Sequence, residues 1–411
     1  SPACGRASGS HCLRRGAGGP RRIGQNMVSR FVLATAATIM LSVVGCDYGL
    51  KGKNAASLER QGEFVWQVPE GFPVPTVPAD NPMTWDKVEL GRQLFYDSRL
   101  SGDESVSCAS CHQPDLAYTD GRDRAVGIHG NIHPRSAMSL TNVAYNATLG
   151  WDDPTLTRLE DQILVPLNNM QPPEMGAAGR EAEIVTRLKK DRRLRRLFHC
   201  AFPHDKSPVT MRNVIYALAS FERTLISGNS PYDRWAYGAE PDALDKDQRA
   251  GARLFFSKRL NCFRCHAGFN LSGPVKYVGS NMPEARFHNT ALYNEDGTGA
   301  YPKPNTGLHR LTGQPDDMGK FRAPTLRNIA LTAPYMHDGS IPTLEKVLEH
   351  YAAGGRSHTN SQIMHRGFNM DPLMTGFELT PLEKRQLIAF LQALTDRTFI
   401  QQALEQAIRK Q

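Results

Sequence analysis

The first 45 residues of this 411-residue chain contain no aspartate and no glutamate. They contain six arginines, so most of the formal net charge of +8 belongs to this segment. The rest of the chain is nearly balanced in charge, which gives no reason to expect nucleic acid as a partner. Strand-like alternation is also sparse, and this scarcity predicts a mostly α fold with long loops.

The N-terminal region also lacks an apolar run of membrane-spanning length. The apolar stretch 31–44 is too short to cross a bilayer securely, and it follows the short basic segment 27–30. This arrangement predicts a signal peptide over residues 27–45. Residues 1–26 precede a plausible initiator methionine and are interpreted as an upstream leader outside the fold.

The apolar stretch ends in Val43-Val44-Gly45-Cys46. Small residues directly before a cysteine resemble the bacterial lipobox, in which the cysteine is lipidated and becomes the first mature residue. An ordinary cleavage site beside an unrelated cysteine is the alternative. We expect lipidation of Cys46, with residues 46–80 as a linker after the anchor. The protein would then be periplasmic and lipid-anchored to a bacterial membrane.

Two closely spaced cysteine pairs are each followed by a histidine, in Cys108-Ala-Ser-Cys111-His112 and Cys262-Phe-Arg-Cys265-His266. Cysteine pairs in an exported protein can form disulfides. The adjoining histidines instead match the attachment pattern of c-type haem. In that pattern two thiols on one helical turn bind the haem vinyl groups, and the imidazole reaches the iron. A redox dithiol beside a histidine would explain one match, whereas two matches favour two covalently bound haems.

A duplicated context precedes the two motifs. Gly91-Arg-Gln-Leu94-Phe95-Tyr96 stands before the first, and Gly251-Ala-Arg-Leu254-Phe255-Phe256 stands before the second, each followed by Arg-Leu in the same register. Both segments have an amphipathic helical pattern. The repeat therefore predicts two cytochrome-like domains in tandem.

Each domain should close with a further helix. Helical spacing over 210–227 predicts one, and the cap-and-proline pair Thr380-Pro381 predicts the start of the other. A polar, turn-rich stretch lies between the two. These signals give an N-terminal haem domain over 81–237 and a C-terminal haem domain over 238–411.

Residues from about 82 to 397 resemble the bacterial di-haem cytochrome c peroxidases and their relatives of the methylamine-utilisation (MauG) type. The matching stretches are 90–112, 151–152, 201–203, 261–271 and 321–339. The resemblance implies two tandem cytochrome c-like domains whose haems face a shared interface. It also implies that the haem on His112 is peroxidatic and that the haem on His266 transfers electrons.

The resemblance further implies roles near the peroxidatic haem. Trp151 occupies the place of a tryptophan that aids electron passage between the haems, although a buried core aromatic is the simpler interpretation. Glu174 aligns with a distal glutamate that moves a proton between the peroxide oxygens, and Gln162 aligns with a distal glutamine. About two extra residues precede Glu174, and a solvated loop glutamate is its alternative.

Axial ligands are implied in the same way. His129 lies near the position of a distal histidine that is released from the peroxidatic iron, and His133 is its rival. At the electron-transfer haem, the classical peroxidases have a methionine ligand, whereas the MauG type has a tyrosine. Tyr351 stands at this position. Met336 is a nearby thioether that could serve instead.

A calcium ion between the domains is also implied. Thr332 and Pro334 match the family positions that supply backbone oxygens. Ser136 stands where relatives have an asparagine, and serine is a weaker calcium ligand than an amide carbonyl.

Three functions remain open at this point. We expect peroxide reduction, with electrons from a small periplasmic cytochrome c or cupredoxin. The alternative is a MauG-type oxidase that uses peroxide and high-valent iron to oxidise residues of a partner protein. A non-catalytic electron carrier is the third, and Glu174 and Gln162 argue against it.

Overall fold

The computed structural model describes residues 64–281, 284–356 and 369–408. Within those ranges the protein is mostly helical, which confirms the predicted fold class. The two strands form a single antiparallel ribbon in which Phe287 faces Arg322. None of the described helices has the length and apolar character needed to cross a membrane. The predicted signal peptide and lipidation site lie outside the described residues.

The helices and strands are numbered here in chain order. They are α1 (Trp85–Phe95), α2 (Cys108–Cys111), α3 (Leu159–Asn168), α4 (Glu181–Lys190), α5 (Arg192–Ala201), α6 (Met211–Arg223), α7 (Pro231–Ala236), α8 (Lys246–Phe255), β1 (Phe287–Asn289), α9 (His309–Thr312), β2 (Lys320–Arg322), α10 (Leu344–Ala352), α11 (Pro381–Gln392) and α12 (Arg397–Ile408).

The predicted closing helices are present as α6 and α11. Helix α11 begins at Pro381 behind a capping box of Thr380 and Glu383, as the sequence predicts. Helix α6 ends at Arg223, four residues before the predicted span does. Thr224 and Leu225 still donate to carbonyls of the last helical turn, whereas the backbone N–H of Ser227 donates to the side-chain oxygen of Asn142 in a loop at 2.7 Å.

The duplicated glycines mark the closest helix crossing in each half. Helix α1 crosses α6, and a Cβ added at Gly91 would lie 1.9 Å from the carbonyl oxygen of Ala217. Helix α8 crosses α11, and a Cβ added at Gly251 would lie 1.9 Å from the carbonyl oxygen of Gln386. Because only glycine permits these contacts, the sequence repeat corresponds to a repeated packing arrangement.

Two hydrophobic cores form around these crossings. The first contains Leu94, Phe95 and Phe221, and the second contains Phe255 and Phe390. The last helix crosses from one half to the other, because Phe399 and Ala403 of α12 pack into the first core. The domain boundary at residue 238 remains a prediction. Beyond this boundary, helix α12 returns to the N-terminal core.

We predict that Gly91→Ala and Gly251→Ala each destabilise the half in which they lie. The added methyl would overlap a backbone carbonyl, which cannot rotate away as a side chain can, so the loss should be about 1–3 kcal/mol or more. Urea unfolding measures the loss. Gly273→Ala is the matched control, because its nearest atom would be the Ala323 oxygen at 3.3 Å. Equal unfolding midpoints for all three variants would contradict the prediction.

Candidate haem sites

The first attachment motif forms the short helix α2, with His112 directly after it. His112 Nδ1 lies 2.9 Å from the carbonyl oxygen of Tyr118. A carbonyl can only accept, so Nδ1 carries the hydrogen and Nε2 keeps the lone pair that a metal requires. Burial lowers the pKa of His112, which keeps the ring neutral and able to bind iron.

The second motif repeats this arrangement with a different turn. Cys262–Arg264 forms a 3₁₀ turn, and His266 Nδ1 lies 3.1 Å from the carbonyl oxygen of Pro324. Burial lowers the pKa of His266 to about 4. Each proximal histidine is therefore neutral and held in one orientation by a backbone carbonyl.

A cavity of about 510 Å³ adjoins the first motif. Cys108, Cys111 and His112 all line it, so two thiols and an imidazole converge on one space. Neither cysteine is in a disulfide. Burial raises the pKa of the Cys111 thiol to about 11 and also raises that of Cys108. The residues present therefore fit a covalently attached haem in this cavity.

Glu174 and Gln162 line the same cavity. Glu174 Oε1 accepts a hydrogen bond from Asn169 Nδ2 at 3.2 Å and lies 3.4 Å from His133 Nδ1. The backbone is held from the opposite loop, because the N–H of Ile128 donates to the Glu174 carbonyl at 2.8 Å. Despite the extra residues before it, Glu174 lies beside the first haem site.

The two candidate distal histidines have different positions. His133 is buried, lines the cavity and has an Nε2 atom without a hydrogen-bond partner among the described residues. The His129 side chain is 66% exposed, lies 3.4 Å from Asp103 and does not line the cavity. The structure therefore brings His133, and not His129, next to Glu174.

Trp151 connects the two halves. Its side chain lines the first cavity and packs against the second hydrophobic core. The indole N–H donates to the Ser136 carbonyl at 3.2 Å, and the Trp151 carbonyl accepts from the backbone N–H of Arg322 at 2.8 Å. The indole is thus held in place between the first haem site and the C-terminal core.

The candidate calcium residues lie on two adjoining segments. The Ser136 hydroxyl donates to the Met336 carbonyl at 3.2 Å, and its backbone N–H donates to the His337 carbonyl at 3.0 Å. The second segment also carries Thr332 and Pro334. The structure therefore bonds Ser136 to the segment that carries the other two candidate calcium residues, Thr332 and Pro334.

Tyr351 lies in α10, near the second attachment motif. Burial raises the pKa of its phenol, and the thiols of Cys265 and Cys262 raise it further. The neighbouring His350 is directed elsewhere, because its Nε2 lies 2.9 Å from the Thr290 carbonyl. Of these two side chains, Tyr351 is the one whose hydroxyl is influenced by the thiols of the second attachment motif.

Glu222 and Arg322 are two charged residues of the first cavity that the sequence-based set does not contain. Glu222 lies in α6, lines the cavity and has a buried carboxyl oxygen without a hydrogen-bond partner in the described part of the chain. Burial raises its pKa to about 8. It follows Leu218 by four residues on the apolar face of the helix, a signal that could have identified it. Arg322, the other one, gives no such signal in the sequence.

Comparison with known proteins supports the presence of two c-type haems. The family described as "Di-haem cytochrome c peroxidase" matches residues 85–241, and a "RoxA-like, cytochrome c-like" family matches residues 320–353. The methylamine utilisation protein MauG of Methylorubrum extorquens is 36% identical over 79% of this chain and 82% of its own. Cytochrome c551 peroxidase of Nitrosomonas europaea is 32% identical over 79% of this chain and 84% of its own.

A solved structure is also similar. The crystal structure of a MauG-like protein associated with microbial copper homeostasis matches with a TM-score of 0.78 and 44% identity. The match covers 82% of this chain and 97% of that one. The fold and the two attachment sites define a di-haem c-type cytochrome. The chain belongs to the di-haem cytochrome c peroxidase family, whose members include both the peroxidases and MauG.

Proposed function

We propose that the protein reduces hydrogen peroxide at the haem site of His112, with Glu174 as the group that moves the proton. The observation that carries this proposal is the Glu174 carboxylate beside His133 in the cavity of the first attachment motif. The haem that Cys108, Cys111 and His112 would hold would supply the iron for the reduction of peroxide. Two electrons and two protons convert one peroxide into two waters.

Glu174 suits proton transfer because neighbouring side chains hold its carboxylate in place while solvent can still reach it. Its side chain is 31% exposed, so it can exchange protons with solvent, while Asn169 and His133 restrict its position. A carboxylate there can take the proton from one peroxide oxygen and deliver it to the other. Gln162, as a neutral amide on the same wall, can orient the peroxide without competing for the proton.

The haem that Cys262, Cys265 and His266 would hold would supply the electrons, and Trp151 would lie on their route to the first site. The contact of Trp151 with the first cavity and with the second core supports this route. The donor would be a small periplasmic cytochrome c or cupredoxin. Peroxide consumption assayed with several such donors tests the reaction, and failure with all of them would direct attention to a protein substrate.

The second candidate function is oxidation of residues in a partner protein at the expense of peroxide. Tyr351 near the second attachment motif favours it, because a phenolate ligand stabilises oxidised iron whereas methionine favours the reduced form. The similarity to MauG and to a MauG-like structure gives further support. A non-catalytic carrier has no use for the carboxylate and amide in the first cavity.

Replacement of Glu174 by glutamine should slow the reaction with peroxide by on the order of 10²–10⁴, because the amide cannot accept the proton. Both haems and their spectra should be retained. Stopped-flow mixing of the oxidised or half-reduced protein with peroxide gives the rate. Glu181→Gln is the matched control, since Glu181 is exposed and lies outside the cavity. A rate for Glu174→Gln within about twofold of the parent would remove Glu174 from the mechanism.

Tyr351→Met should raise the midpoint potential of the C-terminal haem, since a thioether favours ferrous iron. Spectroelectrochemical titration measures the change. Tyr335→Phe serves as the control, because Tyr335 is buried in the same half and its hydroxyl donates to the Ile329 carbonyl at 3.1 Å. A thioether charge-transfer band in the ferric spectrum of the unmodified protein would show that a methionine such as Met336 is already the ligand.

The remaining features of the proposal concern location and calcium. Lipidation at Cys46 would tether the protein to a membrane in the periplasm, and mass spectrometry of the mature N-terminus tests this; an unmodified Cys46 would contradict it.

Calcium between Ser136, Thr332 and Pro334 would join the two halves. Metal analysis of the purified protein, with Ser136→Asn expected to increase calcium retention, tests the second point.

A further inference from the structure

Arg322 is a buried cation in the wall of the first cavity. It ends strand β2, is 7% exposed and lines the cavity of Cys108 and His112. Its Nε donates to the carbonyl oxygen of Gly150 at 3.1 Å, and one terminal nitrogen lies 3.8 Å from the sulfur of Met138. Both partners are electrically neutral.

The other buried arginines among the described residues have an acidic partner. Arg327 bonds Asp233 at 2.6 Å, Arg223 bonds Glu160 at 2.8 Å, and Arg92 bonds Glu89 at 2.6 Å. No ion pair of Arg322 occurs within residues 64–281, 284–356 and 369–408. Burial alone lowers its pKa to about 10, and no charged group opposes this effect. A buried charge without a counterion is strongly destabilising, and none of the described residues supplies Arg322 with one.

We propose that Arg322 is the counterion of a propionate of the haem attached at Cys108 and Cys111. The two propionates are the carboxylates that a c-type haem brings into its cavity. The guanidinium fork matches a carboxylate through paired N–H donors, and such charge-assisted bonds are strong in a buried setting. The haem itself would therefore supply the counterion of Arg322.

This pairing would also make Arg322 a positioning residue for Trp151. The Arg322 side chain bonds the carbonyl of Gly150, and its backbone N–H donates to the carbonyl of Trp151 at 2.8 Å. One residue therefore holds both peptide groups of the segment that presents the indole. With the propionate bound, the polar edge of the haem and the Trp151 segment are fixed to the same side chain.

The experiment compares Arg322→Met and Arg322→Lys as di-haem proteins. Loss of the positive charge in Arg322→Met leaves a propionate unpaired and favours ferric iron, so the midpoint potential of the His112 haem should fall. We expect at least a tenfold change in the ferric-to-ferrous ratio at a fixed potential, which corresponds to about 59 mV for a one-electron couple. Arg322→Lys keeps the charge and should shift the potential by less than half as much.

Arg310→Met is the matched control. Arg310 lines the same cavity but is 41% exposed and already paired with Asp152 at 3.2 Å, so its loss should leave the potential nearly unchanged. Equal potentials for Arg322→Met and the parent protein, with both haems present, would overturn the proposal. If Arg322→Met does not accumulate, a crystal structure of the unmodified holoprotein decides. A propionate oxygen within about 3.2 Å of the Arg322 guanidinium supports the pairing, and any other partner refutes it.

Discussion

Each half of this protein depends on a helix crossing that is too close for any side chain. At Gly91 and Gly251 the backbone of one helix meets a carbonyl of another, and this contact sets how far apart the two helices stand. The attachment motifs follow these helices within about one loop, so the crossing also fixes where the thiols and the proximal imidazole can be. The position of each attachment motif thus depends on a glycine, because a Cβ atom at that position would push the two helices apart.

The two halves are joined by buried ionic and polar contacts as well as apolar ones. Arg327 reaches Asp233, and Arg135 reaches Asp152, each in a site from which water is largely excluded. Burial opposes ionisation of Asp152, yet its hydrogen bonds to Arg135 and Arg310 outweigh that effect and lower its pKa. Charges of this kind specify one arrangement, because a displaced partner would be left unpaired. That rigidity also holds Trp151 in place between the first cavity and the second core.

The sequence was sufficient for the features that follow from local chemistry. The two attachment motifs, the repeat around them and the cap before α11 each depend on a few neighbouring residues, and all three are present in the structure. The family resemblance singled out Glu174, which lines the first cavity in spite of the inserted residues. Hydrogen bonds from Met175 to the Pro166 carbonyl at 3.0 Å and from Ala177 to the Leu167 carbonyl at 2.8 Å hold the far end of that loop on α3.

The orientation of side chains in long loops was not accessible in this way. His129 and His133 lie four residues apart, and counting residues cannot tell which one is turned inward. The backbone at His129 has a φ of 57°, a left-handed conformation that only the surrounding turn can impose, and its side chain is exposed. Arg322 was missed for a related reason, because its significance comes from a side chain that is buried without an ion pair among the described residues.

The final helix makes the first core depend on residues that lie far along the chain from it. Phe399 and Ala403 of α12 pack into this core, although about 300 residues separate them from α1. The N-terminal core is therefore complete only when the C-terminal half brings α12 back to it. Loosening of the C-terminal half would for that reason also expose the core against which Cys108 packs.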